Sequence, residues 1–119
     1  MNVAVLGASN KPQRYSYKAV QALLDKGHNP FPVHPVIKQI DSLDVYASLN
    51  DVPEPVDTIT VYLSAANSDR HADDMLTSGA RRVIFNPGAE NPELAASLQA
   101  AGIEAIEACT LVMLSTNQF

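Results

Sequence analysis

The sequence predicts an α/β fold in three layers: a small, doubly wound parallel sheet covered by helices on both faces. Three observations predict it. Short aliphatic runs recur along the chain and alternate with stretches of helical periodicity. The first of these runs lacks the polar alternation of a sheet with one wet face, so it is read as a strand covered on both sides. The helical stretches close on glycines that lead into the next run, as expected of parallel strands joined by right-handed crossovers.

The first strand is read over residues 2 to 7, an aliphatic run that stops at Gly7. A polar loop follows. Tyr17, Val20, Leu23 and Leu24 then fall at i, i+3, i+6 and i+7, on one side of a helix that Gly27 ends. Residues 29 to 34 read as a second strand, with Pro30 and Pro32 tolerable only at its start or on an unpaired side. Residues 35 to 56 carry Pro35, Pro53 and Pro55 and read as a long connection with one short helical turn near residues 48 to 52.

Residues 57 to 63 form the third strand. A helix is predicted over 67 to 78, with Ala72, Met75 and Leu76 facing inward and Gly79 as its stop. The fourth strand spans 82 to 86. Asn91, Pro92 and Glu93 mark a helix start: Asn caps free amides, Pro suits the first turn and Glu suits the positive end of the dipole. Leu94, Ala95, Leu98 and Ala101 then face the core, Gly102 ends the helix, and residues 103 to 107 form the fifth strand. The expected strand order is 3-2-1-4-5. Ligands bind such sheets beyond the carboxyl ends of the strands where the winding reverses, here between the tips of strands one and four.

The length of 119 residues fits one domain over 1–119. Thirteen Asp+Glu against eight Lys+Arg give a net charge of −5. That argues against nucleic acid and anionic membranes as partners. No run is long enough to span a bilayer. A lone cysteine, Cys109, cannot form an internal disulfide and fits a reducing cytoplasm, and no basic leader precedes the first strand.

The loop from Gly7 to Ser16 carries the strongest functional signal. Gly7 permits a sharp turn and close ligand approach. Ser16 is placed at the start of the first helix, where unpaired amides and the dipole favour phosphate. Lys11 and Arg14 add two cations. The alternative is a tight turn with a serine cap and two solvated side chains. Neither G-x-x-x-x-G-K-[ST] nor G-x-G-x-x-G is present. The second strand ends without the acid that would hold a free ribose diol, which disfavours NAD. His34 and Lys38 favour a phosphorylated ribose instead.

The segment from Gly7 to Ser16, the run Pro32-Val-His-Pro35, the run Asn86-Pro-Gly-Ala89 and Cys109, in that order, resemble the small stand-alone CoA-binding proteins. That family is similar to the CoA-binding domain of the succinyl-CoA synthetase alpha subunit. The resemblance implies a Rossmann-like fold that holds CoA or an acyl-CoA in an extended groove. It implies that Gly7, Ala8 and Ser9 approach the phosphates through backbone, supported by Lys11, Arg14 and Ser16. His34 and Lys38 would meet the adenosine-phosphate end. Leu63, Ser64, Ala65 and Ala66 would line the adenine slot, and Asn86, Pro87 and Gly88 would border the pantetheine arm. The segment after Cys109 departs from the more polar, basic ending of relatives. The phosphohistidine and ligase machinery of the synthetase has no counterpart, so its activity is not implied.

No catalytic set is recognisable. His28, His34 and His71 fall on separate elements, with His28 exposed in a turn. His71 and Asp74, at i and i+3, are two metal ligands without a third and read as a solvated helix face. Cys109 is read as a small packing residue or as a thiol near that of CoA, open to a mixed disulfide. Two further readings stand beside the binding module: an NAD(P)-type nucleotide-sensing regulatory domain, and a structural protein without ligand. In the latter the apolar residues 111 to 114 pair as an edge strand, bury in a homodimer interface or pack in the core.

Overall fold

A computed structural model describes the whole chain, Met1 to Phe119. Strand β1 (Asn2–Leu6) leads through the polar loop into α1 (Tyr15–Asp25) and then β2 (Asn29–Val33). A small antiparallel hairpin, β3 (Gln39–Ile40) and β4 (Leu43–Asp44), and a 3-10 turn at Leu49–Asp51 occupy the long connection. Next come β5 (Thr58–Val61), α2 (Ala65–Ser68), α3 (Ala72–Thr77) and β6 (Arg82–Phe85). The chain closes with α4 (Pro92–Ala100), β7 (Glu104–Glu107) and α5 (Thr110–Ser115).

The main sheet is parallel, with order β2-β1-β5-β6-β7. The parallel α/β architecture expected from the sequence is therefore present, but the order is not. Counted among the five sheet strands, the third lies inside, beside the first, rather than outside the second. The prolines give the reason. Asn29 donates its amide to Met1 and Gly7 donates its amide to Val33, so residues 29 and 33 face β1. Pro30 and Pro32 alternate with them and turn toward the outer edge, where neither has an N–H to offer. No regular strand can pair there. The outward groups are met by Tyr46 alone, whose amide donates to Pro32 and whose carbonyl accepts from His34, each at 2.9 Å.

Alternate residues of β1 feed two cores. Ala4 and Leu6 join Ile59, Val61, Phe85 and Leu98 on one face. Val3 and Val5 join Val20, Leu23, Ile40 and Leu114 on the other, against α1 and α5. The aliphatic run without polar alternation thus reflects burial on both sides.

Three inward assignments fail. Leu24 and Leu76 are exposed, and Ala101 lies beyond the end of α4 as its exposed C-cap. The buried stripe of α1 is Ser16, Ala19, Val20 and Leu23, which leaves Leu24 at the flank. The helix expected over 67 to 78 begins earlier, capped by Ser64, and is broken by a 3-10 turn at Asp69–His71. Within α3 the inward side runs through Ala72 and Met75, which leaves Leu76 exposed at its flank. Asn91 does cap α4, its side chain accepting from the Leu94 amide at 3.2 Å. His28 is half-buried rather than exposed, with the Met1 amino group 3.0 Å from Nδ1 and the Phe119 ring beside it. The apolar tail is a helix, not an edge strand, and Leu114 packs in the core.

At the opposite end of the sheet from the carboxyl tips, Arg81 Nε donates to Asp57 at 2.7 Å and the Thr58 hydroxyl donates at 2.6 Å. Burial alone would raise the Asp57 pKa; the two hydrogen bonds and the charges of Arg81 and Arg82 hold it below 3.8. The unfolded chain then binds this proton more readily than the folded one, so stability present above pH 3.8 is lost as pH falls below it. Urea midpoints between pH 5 and pH 3 should fall less steeply for Asp57→Asn than for the parent protein.

Candidate functional site

The loops that follow β1, β2, β5 and β6 converge beyond the carboxyl ends of the strands. They enclose a cavity of about 540 Å³, a size suited to a small-molecule ligand. It opens where β1 meets β5, because α1 follows β1 on one face and α2 follows β5 on the other. The crevice expected between the first and fourth strands is thus displaced to the first and third.

Gly7 makes the cavity floor. It has φ +87°, and a Cβ there would lie 2.8 Å from Leu63 Cδ2 and 3.1 Å from the Tyr62 carbonyl carbon. The amides of Gly7 and Ala8 both donate to the Val33 carbonyl at 3.2 Å. Their N–H groups are therefore engaged within the protein, and what these residues offer a ligand is close approach. The Lys11 amide closes the next turn on the Ser9 hydroxyl at 3.1 Å.

Free donors come from the helix instead. Arg14, not Ser16, is the N-cap of α1, and no side chain caps the helix. The amides of Tyr15, Ser16 and Tyr17 in its first turn thus lack intrahelical partners. No acidic residue stands in that turn, and Lys11, Arg14 and Ser16 line the same cavity.

Of the remaining sequence candidates, His34, Leu63, Ser64, Pro87 and Gly88 also line it, as do Gly7, Ala8 and Ser9. Lys38, Ala65, Ala66 and Asn86 do not. Lys38 is exposed on the approach to β3. The Ala65 carbonyl accepts from the Asn91 and Ser68 side chains at the base of α2. Asn86 is buried and fully engaged: Nδ2 donates to Thr60 Oγ1 at 2.7 Å and to the Val61 carbonyl at 2.9 Å, while Oδ1 accepts from the Thr110 amide at 2.8 Å. A 2.8 Å contact between the Thr60 and Thr110 hydroxyls completes the network.

Two smaller cavities adjoin. One of about 240 Å³ lies between Tyr15, Tyr62, Asn86, Pro87, Cys109 and Leu111 and shares Tyr15, Tyr62 and Pro87 with the first. The Tyr62 hydroxyl is buried there without a well-aligned partner. Burial pushes its pKa up to about 12, outweighing the pull of the nearby Thr60 and Thr110 hydroxyls. The other, of about 280 Å³, shares Gly7, His34 and Leu63 with the first and adds Asn67, Arg70 and His71. No group of three His, Cys, Asp or Glu side chains is placed to hold a metal ion, and no helix is long and apolar enough to cross a membrane.

Residues 1–115 match the family described as the CoA binding domain. The chain belongs to this family. A curated relative, the uncharacterized protein YneT of Bacillus subtilis, is 27% identical over 100 residues, covering 84% of this chain and 74% of that protein. A crystal structure of an uncharacterized protein matches at TM-score 0.93 and 37% identity, over 99% of this chain and 97% of that one. A dinucleotide-forming acetyl-coenzyme A synthetase from Ca. Korarchaeum cryptofilum, solved with phosphate and ADP, matches at TM-score 0.77 and 22% identity. There the likeness spans 90% of this chain but 25% of the synthetase and concerns the fold alone.

Within this CoA-binding domain, sequence reasoning passed over several residues that line the cavities. The sequence marks Tyr62 only as part of the third strand and Arg70 only as part of the helix over 67 to 78. His71 was assigned to a solvated helix face on its spacing from Asp74. In the structure His71 ends the 3-10 turn and is the N-cap of α3, and both it and Asp74 are half-buried rather than solvated. The available signal was the position of Arg70 and His71 shortly after the third strand's carboxyl end, the end where ligands gather.

Proposed function

We propose that the protein binds CoA or an acyl-CoA, with the diphosphate at the start of α1. The observation that carries this reading is an uncapped helix start, flanked by Lys11 and Arg14, opening on a cavity bordered by four loops. Unpaired amides and the helix dipole favour an anion, and the two cations add charge in a protein of net −5. Family membership supports the same ligand class. Gly7 would let the diphosphate lie against backbone, and the Ser16 hydroxyl would add a donor. The pantetheine arm would run past Pro87 toward the mostly apolar cavity beside Cys109 and Leu111. No reaction is assigned: the site is one of binding.

Calorimetric titration with CoA, acetyl-CoA, NAD, NADP and ATP tests the proposal. CoA or acetyl-CoA should bind most tightly. Lys11→Ala with Arg14→Ala should weaken that binding about 10- to 100-fold and flatten its dependence on salt. Tight NAD binding with no response to CoA would overturn the reading.

A further inference from the structure

We propose that Arg70 and His71, together with His34, form a subsite for a phosphate on the ribose of the bound nucleotide, and so set the preference for CoA over its 3′-dephosphorylated form. The inference rests on the CoA reading and extends it to three side chains. The cavity of about 280 Å³ that holds them shares Gly7, His34 and Leu63 with the larger one. A nucleotide whose diphosphate lies against Gly7 can therefore continue into it. Its apolar side, Val33, Pro35 and Leu63, suits a base or a sugar face; its polar side carries the Arg70 guanidinium with His34, Asn67 and His71.

No carboxylate lines this cavity, although the chain carries more acids than bases. Of the acids nearest in sequence, Asp69, Asp73 and Asp74, none lines it; Asp69 accepts from Asn91 at 2.8 Å and Asp74 accepts from Asn50 at 2.9 Å. The single salt bridge of the protein joins Arg81 to Asp57, which leaves the Arg70 guanidinium without an anionic partner.

His34 is held in a defined state. Its Nδ1 accepts the amides of Val36 and Ile37, both at 3.0 Å. The ring hydrogen is thereby placed on Nε2, which is left as a donor. A guanidinium and two imidazoles offering hydrogens, with no carboxylate to receive a ribose diol, match a phosphorylated sugar better than a free one. Lys38, which the sequence suggested for this role, lines none of the cavities.

The test is calorimetric titration of the full chain with CoA and with 3′-dephospho-CoA. The parent protein should prefer CoA by about 10-fold or more, the effect of charge-assisted hydrogen bonds to one phosphate. Arg70→Gln with His71→Gln should remove that preference by weakening CoA alone, with the affinity for 3′-dephospho-CoA unchanged. Arg70→Gln by itself, at an exposed position, should remove part of it. Lys38→Ala should leave it intact. Equal affinity of the parent protein for both ligands, an unchanged preference in the double variant, or loss of the preference in Lys38→Ala would each overturn the subsite while leaving the CoA reading in place. Binding of neither ligand would overturn both.

Discussion

Asn86→Ala is expected to destabilise the protein by about 3 kcal/mol, with a fall in Tm of roughly 10 °C. The side chain is buried and makes three hydrogen bonds, to Thr60, to the Val61 carbonyl and from the Thr110 amide. Truncation strands the Thr110 amide in a place without water, and an unmet buried donor costs about 1–3 kcal/mol. It also opens a void between β5, β6 and the start of α5. Urea denaturation measures the loss. Thr60→Val with Thr110→Val removes the paired hydroxyls together and should cost less, because Asn86 keeps its bonds to backbone. A loss below about 1 kcal/mol for Asn86→Ala would mean that water reaches these groups.

Gly7→Ala should act on both stability and binding. The backbone there has φ +87°, which costs an L-residue on the order of 1 kcal/mol. The added methyl would press on Leu63, which can shift, and on the Tyr62 carbonyl carbon, which moves only with the chain. We expect a total loss of about 2–4 kcal/mol, with the tips of β1 and β5 displaced where the main cavity opens. Affinity for CoA should fall at least 10-fold even well below the melting transition. Calorimetry at a temperature where the variant is fully folded separates the two effects. Unchanged affinity would remove Gly7 from the ligand's path.

The four loops of the cavity were legible because each follows an aliphatic run, and parallel strands carry their ligand loops at one end. The strand order is also written in the sequence, in the spacing of Pro30 and Pro32. Two prolines two positions apart withhold donors from the same side of the second strand. A third strand cannot lie there, which excludes 3-2-1-4-5 without further information. The spent amides of Gly7 and Ala8 were not legible, since their acceptor, Val33, lies on another strand. Nor was the role of the last segment. Residues 111 to 114 are apolar enough for a strand, a helix or an interface, and contact with α1 decides among them. Arg70 and His71 illustrate the same limit: a helical wheel assigns a face only while the helix continues, and here it changes its winding at those residues.

The outward-facing prolines of β2 have a counterpart at the far rim. There β7 is the last strand, and its Glu104 and Glu107 are exposed. One rim lacks donors and the other carries like charges that would repel a second copy laid alongside. Sheet extension between molecules is thereby discouraged at both borders, which protects the chain against runaway aggregation at high concentration.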